Sequence, residues 1–205
     1  MTGRRAVAAG SLALLLAGCG GDREPPAAEP EARAVLPDSV FIERGGGAAT
    51  RLAAGLVGPL TQAVQEHGTA GAIDFCSREA ERLTAAIADS IGRDIRIGRT
   101  TLKPRNPAHA PDSVDRRVLE ELHALADAGD SLPAYRLVRD GDDVRFYRPL
   151  RIQPLCVQCH GPVDQLDPEV LQLLKARYPG DQATGYREGD LRGAIRVVMP
   201  RAAVH

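Results

Sequence analysis

The stretch Cys156-Val157-Gln158-Cys159-His160 lies in the C-terminal part of a chain of 205 residues and decides what the fold must accommodate. Two thiols separated by two residues can add across the vinyl groups of a haem, and the imidazole that follows then reaches the iron. Gly161-Pro162 comes next and lets the backbone turn away. The spacing therefore predicts one covalently bound haem c, held by Cys156, Cys159 and His160.

The same pair of cysteines leaves two other kinds of site open. A redox dithiol is expected beside a β-α unit, with Cys156 at the start of a helix. A zinc site needs two more ligands at short spacing, but the chain has four cysteines and no second pair of this kind. The histidine directly after the second thiol favours haem over both alternatives.

The composition indicates how the core is built. Hydrophobic residues make up 43% of the chain, but aromatic residues only 3%, and Trp is absent. The core must therefore consist mainly of Leu, Val, Ile and Ala, and a large flat cofactor would add apolar mass. The length suits one domain with a short appendage. A formal net charge of -1 argues against nucleic-acid binding driven by bulk electrostatics.

The first 19 residues predict export and a lipid anchor. Arg4 and Arg5 precede an apolar run over 6–17 that is too short for an ordinary membrane span. Leu16-Ala17-Gly18-Cys19 resembles the lipobox of bacterial lipoproteins, whose cysteine is lipidated; the alternative is an ordinary signal peptide. Residues 20–47 are predicted to be a flexible tether, and residues 48–205 the haem domain. The mature protein is expected on the periplasmic side, anchored to a membrane without spanning it.

Hydrophobic periodicity predicts an α+β fold, with helices first and antiparallel strands after them. Helices are expected over 48–66 with a kink at Pro59, over 70–91, from Asp112 or Ser113, and over 168–177. Strands are expected over 94–102, 135–138, 144–150 and 191–199, with a hairpin turn at 140–142. In the last strand, one face is predicted to hold Leu191, Gly193, Ile195, Val197 and Met199.

Few residues can take the second axial position on a haem iron. Met199 lies on an apolar strand face, where Met is more often core filling, and the other histidines are predicted to be solvated: His67, His109, His123 and His205. Cys76 lies in the middle of the apolar stripe of the second helix. From the pattern alone, Cys76 is a small buried hydrophobe, with ligation as the alternative.

Further motifs run through the chain, and they are Asp74-Phe75-Cys76-Ser77, Gly98-Arg99-Thr100-Thr101-Leu102-Lys103-Pro104-Arg105-Asn106-Pro107, Pro111-Asp112, Phe146-Tyr147-Arg148-Pro149-Leu150, Tyr178-Pro179-Gly180-Asp181-Gln182-Ala183-Thr184-Gly185-Tyr186 and Gly189-Asp190-Leu191-Arg192-Gly193. Together with residues 156–161, they resemble the bacterial family of PAS-like single-haem c-type domains over about 48–200. The resemblance implies a PAS-like antiparallel sheet flanked by helices, with the haem against the sheet. It also implies a distal cysteine as iron ligand, matched here by Cys76. Thr101, where Ser is expected, keeps the hydroxyl.

A basic segment is a candidate partner for the haem propionates. Between residues 93 and 117 there are seven Lys or Arg against three Asp. Arginine can hold a carboxylate through two parallel hydrogen bonds. We therefore expect Arg99, Lys103 or Arg105 to bind the propionates, with an ordinary solvated basic surface as the alternative.

The ligand pair narrows the function classes. A His/Cys pair lowers the reduction potential relative to His/Met and leaves no open position for a substrate, so we expect no enzyme activity. The family resemblance favours a redox or diatomic-gas sensor, and the alternative is a small periplasmic electron-transfer cytochrome. The expected partners are haem, a membrane through the lipid anchor, and a redox or signalling protein; no nucleic acid is expected.

Overall fold

The computed structural model describes residues 36–201. The signal peptide, the lipobox cysteine Cys19, residues 20–35 of the tether and the terminal His205 lie outside the described residues. No helix within 36–201 is long and apolar enough to cross a bilayer.

Four strands form one antiparallel sheet in the order β1-β4-β3-β2. They are β1 (Arg96–Thr100), β2 (Arg136–Asp140), β3 (Asp143–Arg151) and β4 (Leu191–Pro200). β2 and β3 form the predicted hairpin, which turns at Gly141 with a φ of 58°. Together with the helices, this sheet confirms the predicted α+β class.

Four α-helices accompany the sheet: α1 (Asp38–Ile91), α2 (Ser113–Asp127), α3 (Val157–His160) and α4 (Pro168–Arg177). Asp112 caps α2 by accepting from the backbone N–H groups of Val114 and Asp115, as the sequence predicts. Within α1 the backbone leaves helical geometry at Gly68, with a φ of 68° and a ψ of 176°. The two predicted helices are therefore the two parts of α1, and the break at Gly68 falls in the predicted gap between them. At Pro59, where a kink is predicted, the backbone stays helical.

The predicted tether ends earlier than expected. Residues 38–47 belong to α1, although Gly45-Gly46-Gly47 indicates a flexible segment. Phe41 is 1% exposed in the core, and a Cβ on Gly45 would lie 2.5 Å from Cγ of Phe146. The glycine allows a close approach between α1 and β3, so tertiary packing holds this segment in a helix despite its weak helix propensity.

The sheet is covered on both faces. The first part of α1 packs on one face, in a cluster that includes Phe41, Leu52, Phe146, Val197 and Met199. α2 packs on the other face, in a cluster that includes Val118, Leu119, Leu122, Tyr147 and Leu191. Met199 is fully buried in the first cluster, and so it serves as core filling.

A β-bulge interrupts the side-chain alternation that is predicted for β4. Leu150 pairs with Gly193, but the next residue, Arg151, pairs with Leu191, which leaves Arg192 as an extra residue. Leu191 consequently packs with the α2 cluster instead of sharing a face with Ile195. Bulges redirect side chains and are common next to functional sites.

Candidate functional site

Two cavities lie beside the second part of α1. The first has a volume of about 250 Å³ and is bordered by α1, β1, the loop after β1 and β4. The second has a volume of about 110 Å³ and lies between α1, α3 and α4. Cys76, Arg105, His160 and Tyr178 line both cavities. The fold thus brings the predicted ligands Cys76 and His160 to one place from distant parts of the chain.

Both cysteines of the motif over residues 156–160 lie at the second cavity. A short 3-10 turn (Pro154–Cys156) leads directly into α3, so that Cys156, Cys159 and His160 lie within two consecutive turns. Cys156 and Cys159 line the second cavity together with Cys76. Burial, and to a lesser extent the neighbouring Cys76 and Cys156, raise the pKa of Cys159 to about 11, although Arg105 acts in the opposite direction. The three cysteines therefore lie close together, and the thiol of Cys159 is protonated at neutral pH.

The ring of His160 has a defined orientation and charge. Its Nδ1 lies 2.7 Å from the carbonyl oxygen of Ala183. A carbonyl only accepts, so Nδ1 carries the proton and Nε2 keeps its lone pair. Burial, together with Arg105 and Arg192, lowers the pKa of His160 to about 3. A neutral imidazole that donates its other N–H to a carbonyl is the usual state of a metal-ligating histidine.

The thiol of Cys76 is half-buried on the second part of α1. Burial raises its pKa, while Arg99 and Arg105 lower it. Because burial has the larger effect, the thiol is protonated unless a cation holds the thiolate. Coordination to a metal ion removes a proton from a thiol outright, so Cys76 is suited to ligation that depends on a metal.

Two of the three predicted propionate partners line the first cavity. Nη2 of Arg99 donates to Oε1 of Glu81 at 2.7 Å, and its buried Nε has no partner among the described residues. Arg105 lines the cavity and holds the motif in place: its Nε donates to Asp181 at 3.0 Å and its Nη2 to the carbonyl of Cys159 at 2.6 Å. The unpartnered nitrogen of Arg99 is a donor suited to an anionic group.

Lys103 lies elsewhere. It lines neither cavity; its Nζ donates to the carbonyl of Thr184 at 3.1 Å and lies 4.7 Å from the ring centroid of Tyr186. The chain turns after β1 and carries this side chain away from the cavities. The expected role of Lys103 as a propionate partner therefore has no support in the geometry.

The profile of the Tll0287-like family matches residues 31–200. This chain belongs to the Tll0287-like family. The crystal structure of the cyanobacterial heme-protein Tll0287 is similar, with a TM-score of 0.58 and 22% identity over 83% of this chain and 99% of that one. At this level of identity the likeness shows the fold. No curated protein matches the chain.

Sequence reasoning missed one cation of this site, Arg192. It lines the first cavity, although strict alternation predicts it on the face of β4 opposite Leu191 and Gly193. Its Nη1 donates to Oγ1 of Thr101 at 2.7 Å and to the carbonyl of Lys103 at 3.0 Å. The hydroxyl of Thr101 also donates to the carbonyl of Arg192 at 2.7 Å. The bulge in β4 thus brings a third guanidinium to the cavity.

His109 is the second residue that the sequence misplaced. It was predicted to be solvated, but it is half-buried and lines the first cavity. Its Nε2 lies 2.9 Å from Oε1 of Glu81, the same oxygen that Arg99 contacts. Burial and Arg99 lower the pKa of His109, so the ring is neutral at neutral pH. His67 is exposed as predicted, and Met199 lines neither cavity.

The residues at the site fit a haem better than a metal ion bound by side chains alone. Within residues 36–201, no group of three or more His, Cys, Asp or Glu is placed to hold a metal ion. Among the lining residues of the first cavity, three are Arg and only Glu81 is acidic. Two potential axial ligands, two thiols and an excess of guanidinium groups suit an iron porphyrin with two carboxylates.

Proposed function

We propose that this chain binds one haem c through thioether bonds from Cys156 and Cys159, with His160 and Cys76 as the axial ligands of the iron. Arg99 and Arg105 are proposed as partners of the haem carboxylates. The observation that carries this proposal is that Cys76 and His160 line the same two adjoining cavities. When bound, the haem supplies an iron that changes oxidation state and can take a diatomic gas.

We further propose that the protein is an exported, lipid-anchored redox or gas sensor and not an enzyme. Two protein ligands leave no position for a substrate. Burial raises the pKa of the Cys76 thiol, so this residue is a stable neutral group when it is released and a thiolate when it is held. Cys76 lies on the second part of α1, which packs on α4 through Ile73. Release of Cys76 would therefore free one helix to change its packing.

The alternative function is a small periplasmic electron-transfer cytochrome. One observation favours it: Cys156 also lines an open groove on the protein surface, so that one haem attachment point lies close to solvent. Electron carriers need such an accessible edge but no change of ligand. The two functions therefore differ in whether Cys76 leaves the iron.

The test is absorption and EPR spectroscopy of the purified haem-loaded protein, ferric and ferrous, beside Cys76→Ala and Met199→Leu. We expect a low-spin thiolate signature in the wild type and in Met199→Leu, and its loss in Cys76→Ala. An unchanged spectrum in Cys76→Ala would show that Cys76 is not an iron ligand and only fills space in the packing. Displacement of the thiolate by carbon monoxide or nitric oxide supports the sensor, whereas a ligand pair that resists both gases supports the carrier.

A further inference from the structure

An open groove lies between the first part of α1, the segment before β2, and β3. Its floor is mainly apolar, and two of its residues, Val57 and Tyr135, are 57% and 37% exposed. Only three large hydrophobic residues are exposed to this degree in the described part of the chain, and these are two of them. Exposed apolar residues gathered in one patch are typical of an interaction surface.

The floor of the groove is held in place by aromatic packing. The ring of Tyr135 stacks on Phe146, with centroids 5.5 Å apart and planes inclined by 16°. Phe146 is itself buried against α1. An aromatic side chain held in this way presents apolar area to a partner with little further loss of conformational freedom.

The charges at the groove have a single sign. Arg148 and Arg151 line it, and none of the described lining residues is Asp or Glu. Nη1 of Arg148 donates to the hydroxyl of Thr50 at 2.9 Å, and Nη1 of Arg151 donates to the carbonyl of Gly189 at 2.6 Å. These acceptors are neutral, so the two guanidinium charges are not cancelled by their contacts.

The groove reaches the candidate haem site. Cys156 lines the groove and also lines the second cavity, where Cys76 and His160 lie. A partner seated in the groove would therefore contact the chain directly at one of the haem attachment points. Apolar contact flanked by complementary charge is the arrangement that speeds association between proteins.

We propose that this groove docks an acidic electron-exchange protein, whose apolar centre covers Val57 and Tyr135 and whose carboxylates face Arg148 and Arg151. This inference rests on the proposed function, because it requires a haem attached at Cys156. One electron passes between the redox centre of the partner and the haem iron, so that one is oxidised as the other is reduced, and no covalent bond changes.

The test is stopped-flow reduction of the haem-loaded ferric protein by two donors: an acidic flavodoxin in its reduced form, and reduced lumiflavin, which is small and has no charged protein surface. We expect Arg148→Gln/Arg151→Gln to lower the second-order rate constant with flavodoxin about tenfold at low ionic strength. The difference should disappear at high salt, where surface charges are screened. The rate with lumiflavin should not change.

Two further variants test the site itself. Arg116→Gln/Arg117→Gln removes the same charge from an exposed part of α2 and should leave the flavodoxin rate nearly unchanged. Val57→Ser/Tyr135→Ser should slow flavodoxin at low and high salt alike, because it removes apolar contact rather than charge.

The outcomes separate the two proposals. If no haem is attached, the proposed function fails, and the docking proposal fails with it because it requires that haem. If haem is attached and lumiflavin reduces every variant equally, an equal loss in both arginine pairs, or no loss in Arg148→Gln/Arg151→Gln, overturns the docking site. Sedimentation that shows a dimer lost in Val57→Ser/Tyr135→Ser would assign the groove to a second copy and also overturn it.

Discussion

Asp115 shows, for a single residue, how far burial departs from the sequence pattern. It is fully buried on α2 and accepts hydrogen bonds from Tyr147 at 2.7 Å, Arg145 at 3.0 Å and Thr100 at 3.2 Å. Arg196 also donates to it. Burial and the neighbouring Asp115 carboxylate raise the pKa of Tyr147, so the phenol remains a proton donor.

Asp115→Ala is expected to destabilise the protein strongly. We expect a loss of about 3 kcal/mol, the lower end of the cost of removing one partner of a buried ion pair. Tyr147 and Arg196 lose their buried acceptor, whereas Arg145 keeps its ion pairs with Asp112 and Asp140. The free energy of unfolding can be measured by chemical denaturation at equal haem loading.

Asp127→Ala serves as the control, since Asp127 is exposed at the end of the same helix, and it should change the unfolding free energy by less than about 0.5 kcal/mol. Similar values for the two variants would contradict a stabilising role for the network.

The pattern of α2 does not reveal Asp115. Its hydrophobic positions predict the helix correctly, and the cap is one of the two predicted candidates, Asp112. An acidic residue between the hydrophobic positions is indistinguishable from a solvated one. What buries Asp115 is the arrival of Arg145 and Arg196 from β3 and β4, and nothing local to α2 encodes that contact.

Among the elements, α1 positions Cys76 through a break in the helix. Gly68 has a φ of 68° and a ψ of 176°, a region that is essentially restricted to glycine. A Cβ at this position would meet no atom within 4 Å. Any effect of a substitution is therefore due to the backbone alone.

Gly68→Ala is expected to lower the free energy of unfolding by about 1–3 kcal/mol, the usual cost of holding a side-chain-bearing residue in this conformation. Gly47→Ala is the matched control. Gly47 lies in a helical part of α1 and its Cβ would also meet nothing within 4 Å, so Ala should stabilise by about 0.5–1 kcal/mol through its helix propensity. Denaturation curves compare the two, and stabilisation by Gly68→Ala would contradict the strained backbone.

The elements themselves were largely predictable. The helix over 168–177 agrees with α4 in both bounds, since Pro168 and the charged last turn mark its ends. The predicted start of the first helix and the predicted alternation of β4 were wrong, because both features depend on packing. Residues 38–47 are helical through contact with β3, and Arg192 is displaced by pairing with the neighbouring strand.

In the whole molecule, the candidate haem site gathers arginines from β1, the loop after it and β4. Arg99, Arg105 and Arg192 meet at one cavity with Glu81 as its acidic lining residue. Burial lowers the pKa of Arg192, which means that the surroundings disfavour its positive charge. Two haem carboxylates would offset this charge.

Haem loading is therefore expected to raise the thermal unfolding midpoint above that of Cys156→Ala/Cys159→Ala, which attaches no haem. Two charge-assisted hydrogen bonds of about 1.5–3 kcal/mol each correspond to a shift on the order of 10 °C in a domain of this size. Differential scanning calorimetry measures the difference. The double variant Arg99→Gln/Arg192→Gln should reduce this difference between the midpoints. Equal midpoints for loaded and unloaded protein would contradict the idea that the haem carboxylates offset the arginine charges.

The sequence by itself determined the α+β class, most helix and strand positions, and the residues expected to hold a haem, because hydrophobic periodicity and the Cys156–His160 spacing are local properties of the chain. The tertiary structure decided which side chains share the cavities. It places Cys76 and His160 at the same cavity, together with Arg192 and His109, and it places Lys103 outside that cavity. These placements depend on strand register and on a bulge between strands distant in sequence, and such long-range pairing leaves no periodic trace in either strand alone.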